Sequence, residues 1–142
     1  MSEGFRIRQA DADSIIVENL ADVLIDCVDN GASVGFMAPL ARDRAVAFWR
    51  GVLGAAGRGD RVVLVAEDNA TGQVVGTVQV VLAMPDNQPH RAEVAKLLVR
   101  REARHRGLGS ELMRAAETVA RTAGRTLLVL DTATSEIGRA HV

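Results

Sequence analysis

The chain passes from strand to helix through a basic glycine loop, and that junction restricts its fold more than any other segment. Leu97-Leu98-Val99 is a short apolar run, followed by Arg104-His105-Arg106-Gly107-Leu108-Gly109-Ser110. From there Leu108, Leu112, Ala115, Ala116, Val119 and Ala123 recur at helical spacing. The amides of a first helical turn have no partner inside the helix, and the macrodipole favours negative charge beside them. Gly107 and Gly109 let an anion approach without an intervening Cβ, with Arg104, His105 and Arg106 around them. The segment reads as a pyrophosphate seat.

The elements on either side set the fold class. Phe5-Arg6-Ile7-Arg8 alternates as a short strand, and Asp11 or Asp13 suits the N-cap of a helix reaching about Asp29. Ile16, Leu20, Val23, Leu24 and Cys27 share one face of that helix, which makes Cys27 a small core residue. A loop over 30–37 carries large apolar residues, Phe36 and Met37, which read either as core packing or, with Ser33, as a substrate wall. After Pro39 a second helix places Ala45, Phe48, Trp49 and Val52 at core spacing and is expected to dissolve in the glycines from Gly54. Strands over 61–67, 73–82 and 91–99 follow, the first pair joined by Asp68-Asn69-Ala70-Thr71-Gly72, with Gly76 marking a bulge or close backbone approach. Gly124 stops the third helix, and Thr126 to Leu130 is a last strand. The order β-α-α-β-β-β-α-β is an α+β layout with a meander at its centre.

Composition narrows the function classes. At 142 residues the chain makes one domain, assigned to 1–134, with 135–142 a short tail of unclear origin. A net charge of -1 gives no overall basic surface for nucleic acid; the positive charge is concentrated at Arg100, Arg101, Arg104 and Arg106. Met1-Ser2-Glu3-Gly4 does not begin a secretory signal, and no apolar run reaches membrane-spanning length. With Cys27 the only cysteine, the expectation is a cytoplasmic protein. His90, His105 and His141 are far apart and no metal site is expected. A dinucleotide-binding fingerprint fails because Leu112 stands where its third glycine belongs.

The Arg104-x-x-Gly107-x-Gly109 loop, the strand before it and the element order resemble the GCN5-related N-acetyltransferase (GNAT) superfamily. Gly31-Ala32-Ser33-Val34-Gly35-Phe36-Met37 and His90-Arg91-Ala92-Glu93-Val94 look like its tabtoxin-resistance type. The resemblance implies the acyl-CoA N-acyltransferase fold with a mixed central sheet and acetyl-CoA as donor. It implies that the backbone of Leu97, Leu98 and Val99 pairs with the pantetheine arm, and that Arg104 to Ser110, with Leu108 among them, hold the pyrophosphate. It also implies a primary amine of a small molecule as acceptor. Glu93 precedes Arg104 by eleven positions, the spacing at which histone-type members carry a general-base glutamate. A plain ion pair of Glu93 with Arg91 or Lys96 is the alternative. The family's usual last helix, its strand pair and the tyrosine acid in that helix have no counterpart in 135–142; the chain contains no tyrosine. On this reading the strand at 126–130 is an exposed edge that suits a homodimer. A non-catalytic acetyl-CoA-binding or dimerising module is the alternative function.

Overall fold

A computed structural model describes residues 4–11, 13–30, 36, 38–84, 86–104, 106–131 and 137–141. The elements are β1 (Phe5–Gln9), α1 (Ser14–Asp29), α2 (Arg42–Gly57), β2 (Arg61–Asp68), β3 (Val74–Val81), β4 (Arg91–Val99), a 3-10 turn at Arg101–Ala103, α3 (Leu108–Thr122), β5 (Leu127–Asp131) and β6 (Ile137–His141). All six strands form one sheet in chain order, antiparallel except where β4 runs parallel to β5. Asp13 caps α1 by accepting from the Ile15 amide, and α2 continues through Gly54 to Gly57, longer than its glycines suggest. Tertiary packing overrides the weak helix propensity there: Val52 and Leu53 just before that stretch and Ala55 within it are buried.

The sheet separates two apolar cores. Leu20, Leu24 and Cys27 of α1 and Trp49 and Val52 of α2 pack with Val63, Val65, Val74 and Leu98 on one face. Leu108, Leu112, Ala116 and Ala120 of α3 pack with Leu64, Ala66, Val78, Val80, Ala92, Val94 and Leu128 on the other. Side chains alternate between faces along a strand, so each central strand serves both cores.

The edge of the sheet corrects the sequence reading. β6 pairs antiparallel with β5 from Leu127↔His141 to Asp131↔Ile137, so the strand at 127–131 is not a bare edge. The expected homodimer through that edge loses its basis. Ile137-Gly138-Arg139-Ala140-His141 lacks an alternating apolar pattern, and its strand character comes from pairing with the β5 backbone.

Candidate active site

Two irregularities in the central strands shape the site. In the β3–β4 ladder Thr77 faces Leu98 but Gln79 faces Ala95, so Lys96 and Leu97 oppose the single residue Val78. This is a β-bulge, and Lys96 adopts the left-handed region at φ 53°. Short of the bulge, β4 pairs with β5 from Arg91↔Leu127 to Val94↔Leu130; beyond Val94 the described ladder between them ends. The Arg100 amide donates to the Val75 carbonyl, so by strand alternation the backbone N–H and C=O of Val99 turn away from β3, toward the β5 side of the strand. Leu97 is exposed there, while Leu98 is buried in the α1–α2 core with its backbone opposite Thr77. Of the three residues expected along the pantetheine arm, Val99 lines the groove in front of α3, Leu97 is exposed and Leu98 is buried.

The second irregularity seats α3. Between Ala66↔Gly76 and Glu67↔Val74 the register shifts by one residue on β3. Gly76 lies directly under the helix start: a Cβ there would stand 3.1 Å from both Leu108 Cδ2 and Leu112 Cδ1. The Leu108 and Leu112 side chains are thus anchored in the core, and Leu108 offers the site its amide rather than its side chain. Gly107, at φ 77°, is the N-cap of α3, and no side chain among the described residues caps the helix. An ideal Cβ at Gly107 or Gly109 would meet no atom within 4 Å. The space in front of this turn is a groove of about 300 Å³ lined by Val99, Ala103, Arg104 and 107–110, Ser110 included. Uncapped amides, an N-cap without a Cβ and open space before them fit a diphosphate.

The loop arginines are held differently from expectation. Arg104 donates from Nε to the Val99 carbonyl at 3.1 Å and from Nη2 to Cys27 Sγ at 3.8 Å, and the Cys27 thiol donates to the same carbonyl at 3.4 Å. The side chain ties the loop to β4 and α1, with much of its donor capacity already committed. Burial pushes the Cys27 thiol above its ordinary pKa, against a smaller opposing pull from Arg104. Arg106 lies over the Phe5 ring, 4.2 Å from its centroid, and fastens the other side of the loop to β1. Neither contact has a signal in local spacing, because Cys27 and Phe5 are remote in sequence.

Glu93 projects from β4 on the α1–α2 face, half-buried and ion-paired with Arg91. Arg91 also donates to Gln88 Oε1 at 2.6 Å. The pairing with Arg91 named as the alternative is therefore present, on the same sheet face as the position expected for a base. Phe36 packs edge-on against Phe48, with ring centroids 5.3 Å apart, beside the α1–α2 core. Ser33, Met37 and His105 lie outside the described residues. Among those described, no group of three or more His, Cys, Asp or Glu could hold a metal ion, and no helix is long and apolar enough to cross a membrane.

Residues 35–141 match the family model described as Acetyltransferase (GNAT) family. A curated relative, an uncharacterized N-acetyltransferase in the hisH-hisA intergenic region of Azospirillum brasilense, is 32% identical over 117 residues, covering 81% of this chain and 67% of its own length. Among solved structures, a ribosomal-protein-alanine N-acetyltransferase from Brucella melitensis superposes with a TM-score of 0.71 at 25% identity, over 88% of this chain and 72% of that one. An acetyltransferase from Salmonella typhimurium, solved with its cofactor acetyl-CoA, gives 0.68 at 22% identity, over 90% and 69%. With the uncapped helix start and the groove before it already in place, these likenesses agree with the site: the chain belongs to the GNAT family, the acetyl-CoA-dependent N-acetyltransferases.

Proposed function

We propose that this chain acetylates a primary amine of a small molecule by direct attack, with Glu93 as the proton acceptor. The observation that carries the reading is the uncapped α3 start facing an open groove that Val99, at the end of β4, also lines. The amides of Leu108, Gly109 and Ser110 would hold the diphosphate, and the Leu97–Val99 edge would align the pantetheine arm. Bound there, acetyl-CoA supplies an activated thioester: the amine nitrogen gains the acetyl carbon as the bond to sulfur breaks, and coenzyme A leaves as the thiol.

The protein's share is positioning and proton handling. An ammonium is not a nucleophile, so the acceptor must lose a proton, and a carboxylate near the reacting centre can receive it directly or through water. Glu93 is half-exposed and hence reachable by solvent for its return to the ionised state. Arg91 fixes the carboxylate's orientation through the ion pair. Phe36 and Phe48 would border the acceptor with the flanking loop residues Ser33 and Met37. The test is Glu93→Gln, assayed for thiol release with a panel of amines and, separately, for acetyl-CoA binding. Expected is a fall in kcat of ~10²–10⁴-fold with binding retained. Unchanged kcat removes Glu93 from the mechanism; no acetyl transfer by the unaltered protein, with acetyl-CoA still bound, leaves the non-catalytic module.

A further inference from the structure

On the α1–α2 face the apolar core stops before the sheet does. Val63, Val65, Val74 and Leu98 lie in that core, and Gln79 comes next to them. Gln79 faces Val63 on β2 and Ala95 on β4, while Val81 faces Arg61 and Glu93. Directly opposed residues share a face, as do residues two apart on one strand, so Arg61, Gln79, Arg91 and Glu93 lie on one face of the sheet, with Val81 between the Arg61–Gln79 and Arg91–Glu93 pairs. The internal bonds of this patch are few. Arg61 Nη1 donates to Gln79 Oε1 at 2.8 Å, and Arg91 donates to Gln88 and to Glu93.

What remains is a surplus of donors. Arg61 Nε, Gln79 Nε2 and Arg91 Nε are buried with no hydrogen-bond partner among the described residues. Gln79 is 1% exposed, so its side-chain NH2 has been taken out of water without a partner among the described residues. Native proteins keep few such groups, and a cluster of them calls for an acceptor supplied from outside. The described carboxylate of the patch, Glu93, is already engaged with Arg91.

We infer that this patch binds a carboxylate of the acceptor, and that the acceptor is an α-amino acid or a molecule ending in one. The inference rests on the reading of Glu93 as facing the acceptor. A carboxylate accepts several hydrogen bonds in a plane that matches a guanidinium fork. Because Arg91 and Glu93 are in direct contact, the cationic and anionic partners of the ligand must sit equally close together. An ammonium and a carboxylate on one carbon satisfy that spacing; a long amine with a remote acid does not. The ligand's carboxylate takes up the unpartnered Nε–H groups of Arg61 and Arg91, while the Arg91–Glu93 pair holds Glu93 toward the ligand's nitrogen.

The test pairs each common L-α-amino acid with its amide, using acetyl-CoA turnover and, independently, calorimetric binding to the coenzyme A-loaded protein. At least one acid is expected to exceed its amide by about 30-fold or more in kcat/KM and in affinity. Arg61→Met is expected to collapse that ratio, and Arg61→Lys to restore part of it, since lysine keeps the charge without the fork. Circular dichroism melting of both variants separates a lost contact from a lost fold. Amides used as well as acids, or a ratio indifferent to Arg61, overturns the inference and leaves the acetyltransferase reading standing. Phosphorylated amines preferred over every acid overturn it in favour of a phosphate site, and no binding by any acid overturns it outright. Arg61-dependent binding of acids without acetyl transfer supports the subsite and removes the proposed reaction.

Discussion

Two glycines in the phosphate loop have equally open surroundings yet should respond to alanine with opposite signs. Neither Gly107 nor Gly109 has an atom within 4 Å of its ideal Cβ, so packing contributes nothing to the difference. Gly107 is held at φ 77°, where an L side chain costs about 1–2 kcal/mol. Gly109 lies in the first turn of α3 without a positive φ, and alanine there gains roughly 0.5–1 kcal/mol by restricting the unfolded chain. Gly107→Ala and Gly109→Ala should therefore differ by about 1.5–3 kcal/mol, or ~3–12 °C in Tm for a chain of this size. Thermal melting followed by circular dichroism measures this directly. Affinity for coenzyme A adds an independent readout. If Gly107→Ala lets the empty loop relax, rebinding must restore the left-handed turn, and Kd rises by about 5–30-fold. Gly109→Ala should alter Kd only a few-fold, since its Cβ would meet no atom within 4 Å and its backbone has no positive φ. Shifts of the same sign in both variants would refute the assignment of Gly107 as the residue that turns strand into helix.

Cys27 makes stability depend on pH in a window with little else to titrate, since the chain has no tyrosine and Lys96 as its one lysine. Burial raises the folded thiol's pKa above 9.0, so the unfolded chain loses this proton first. Stability should be unaffected by Cys27 below about pH 9 and should fall above it by up to ~1.4 kcal/mol per pH unit. Denaturant titrations at several pH values should show this slope in the native sequence and not in Cys27→Ala. Gly76→Ala forces a Cβ to 3.1 Å from two leucine methyls and 3.3 Å from the Leu98 carbonyl oxygen. A destabilisation of about 1–3 kcal/mol is expected, with weaker coenzyme A binding because Leu108 begins α3. Trp49 is fully buried and its indole N–H has no partner among the described residues. Trp49→Ala should cost about 3–5 kcal/mol, and Trp49→Phe much less, since no hydrogen bond is forfeited.

What could be read in advance was local in origin. The glycine-marked helix start, the hairpin at 68–72 and the α1 face carrying Leu20, Leu24 and Cys27 follow from spacing and turn chemistry, and each appears where expected. Gly76 signalled a bulge or a close approach and shows both. Lys96 carried no such signal: its left-handed backbone comes from the mismatch between β3 and β4, which no single segment contains. Arg104 was legible as a cation near a phosphate seat, but its bonds to Val99 and Cys27 depend on α1 folding back across the sheet. The donors of Arg61 and Gln79 likewise meet only because two strands pair in one particular register. β6 is the extreme case, a strand whose reason for existing lies in its neighbour rather than in its own residues.

The doubled position at Lys96–Leu97 has a consequence for how such a cleft could be gained or lost. Val94 belongs to the α3 core and Leu98 to the α1–α2 core, although four residues of regular strand would return to the same face. Excising Lys96 would leave Leu97 alone opposite Val78 and restore the pleat, with Leu98 still opposite Thr77 and still in its own layer. A one-codon deletion, far smaller than the loss of any loop or helix, would erase one of the two irregularities that shape the site while leaving both cores in place.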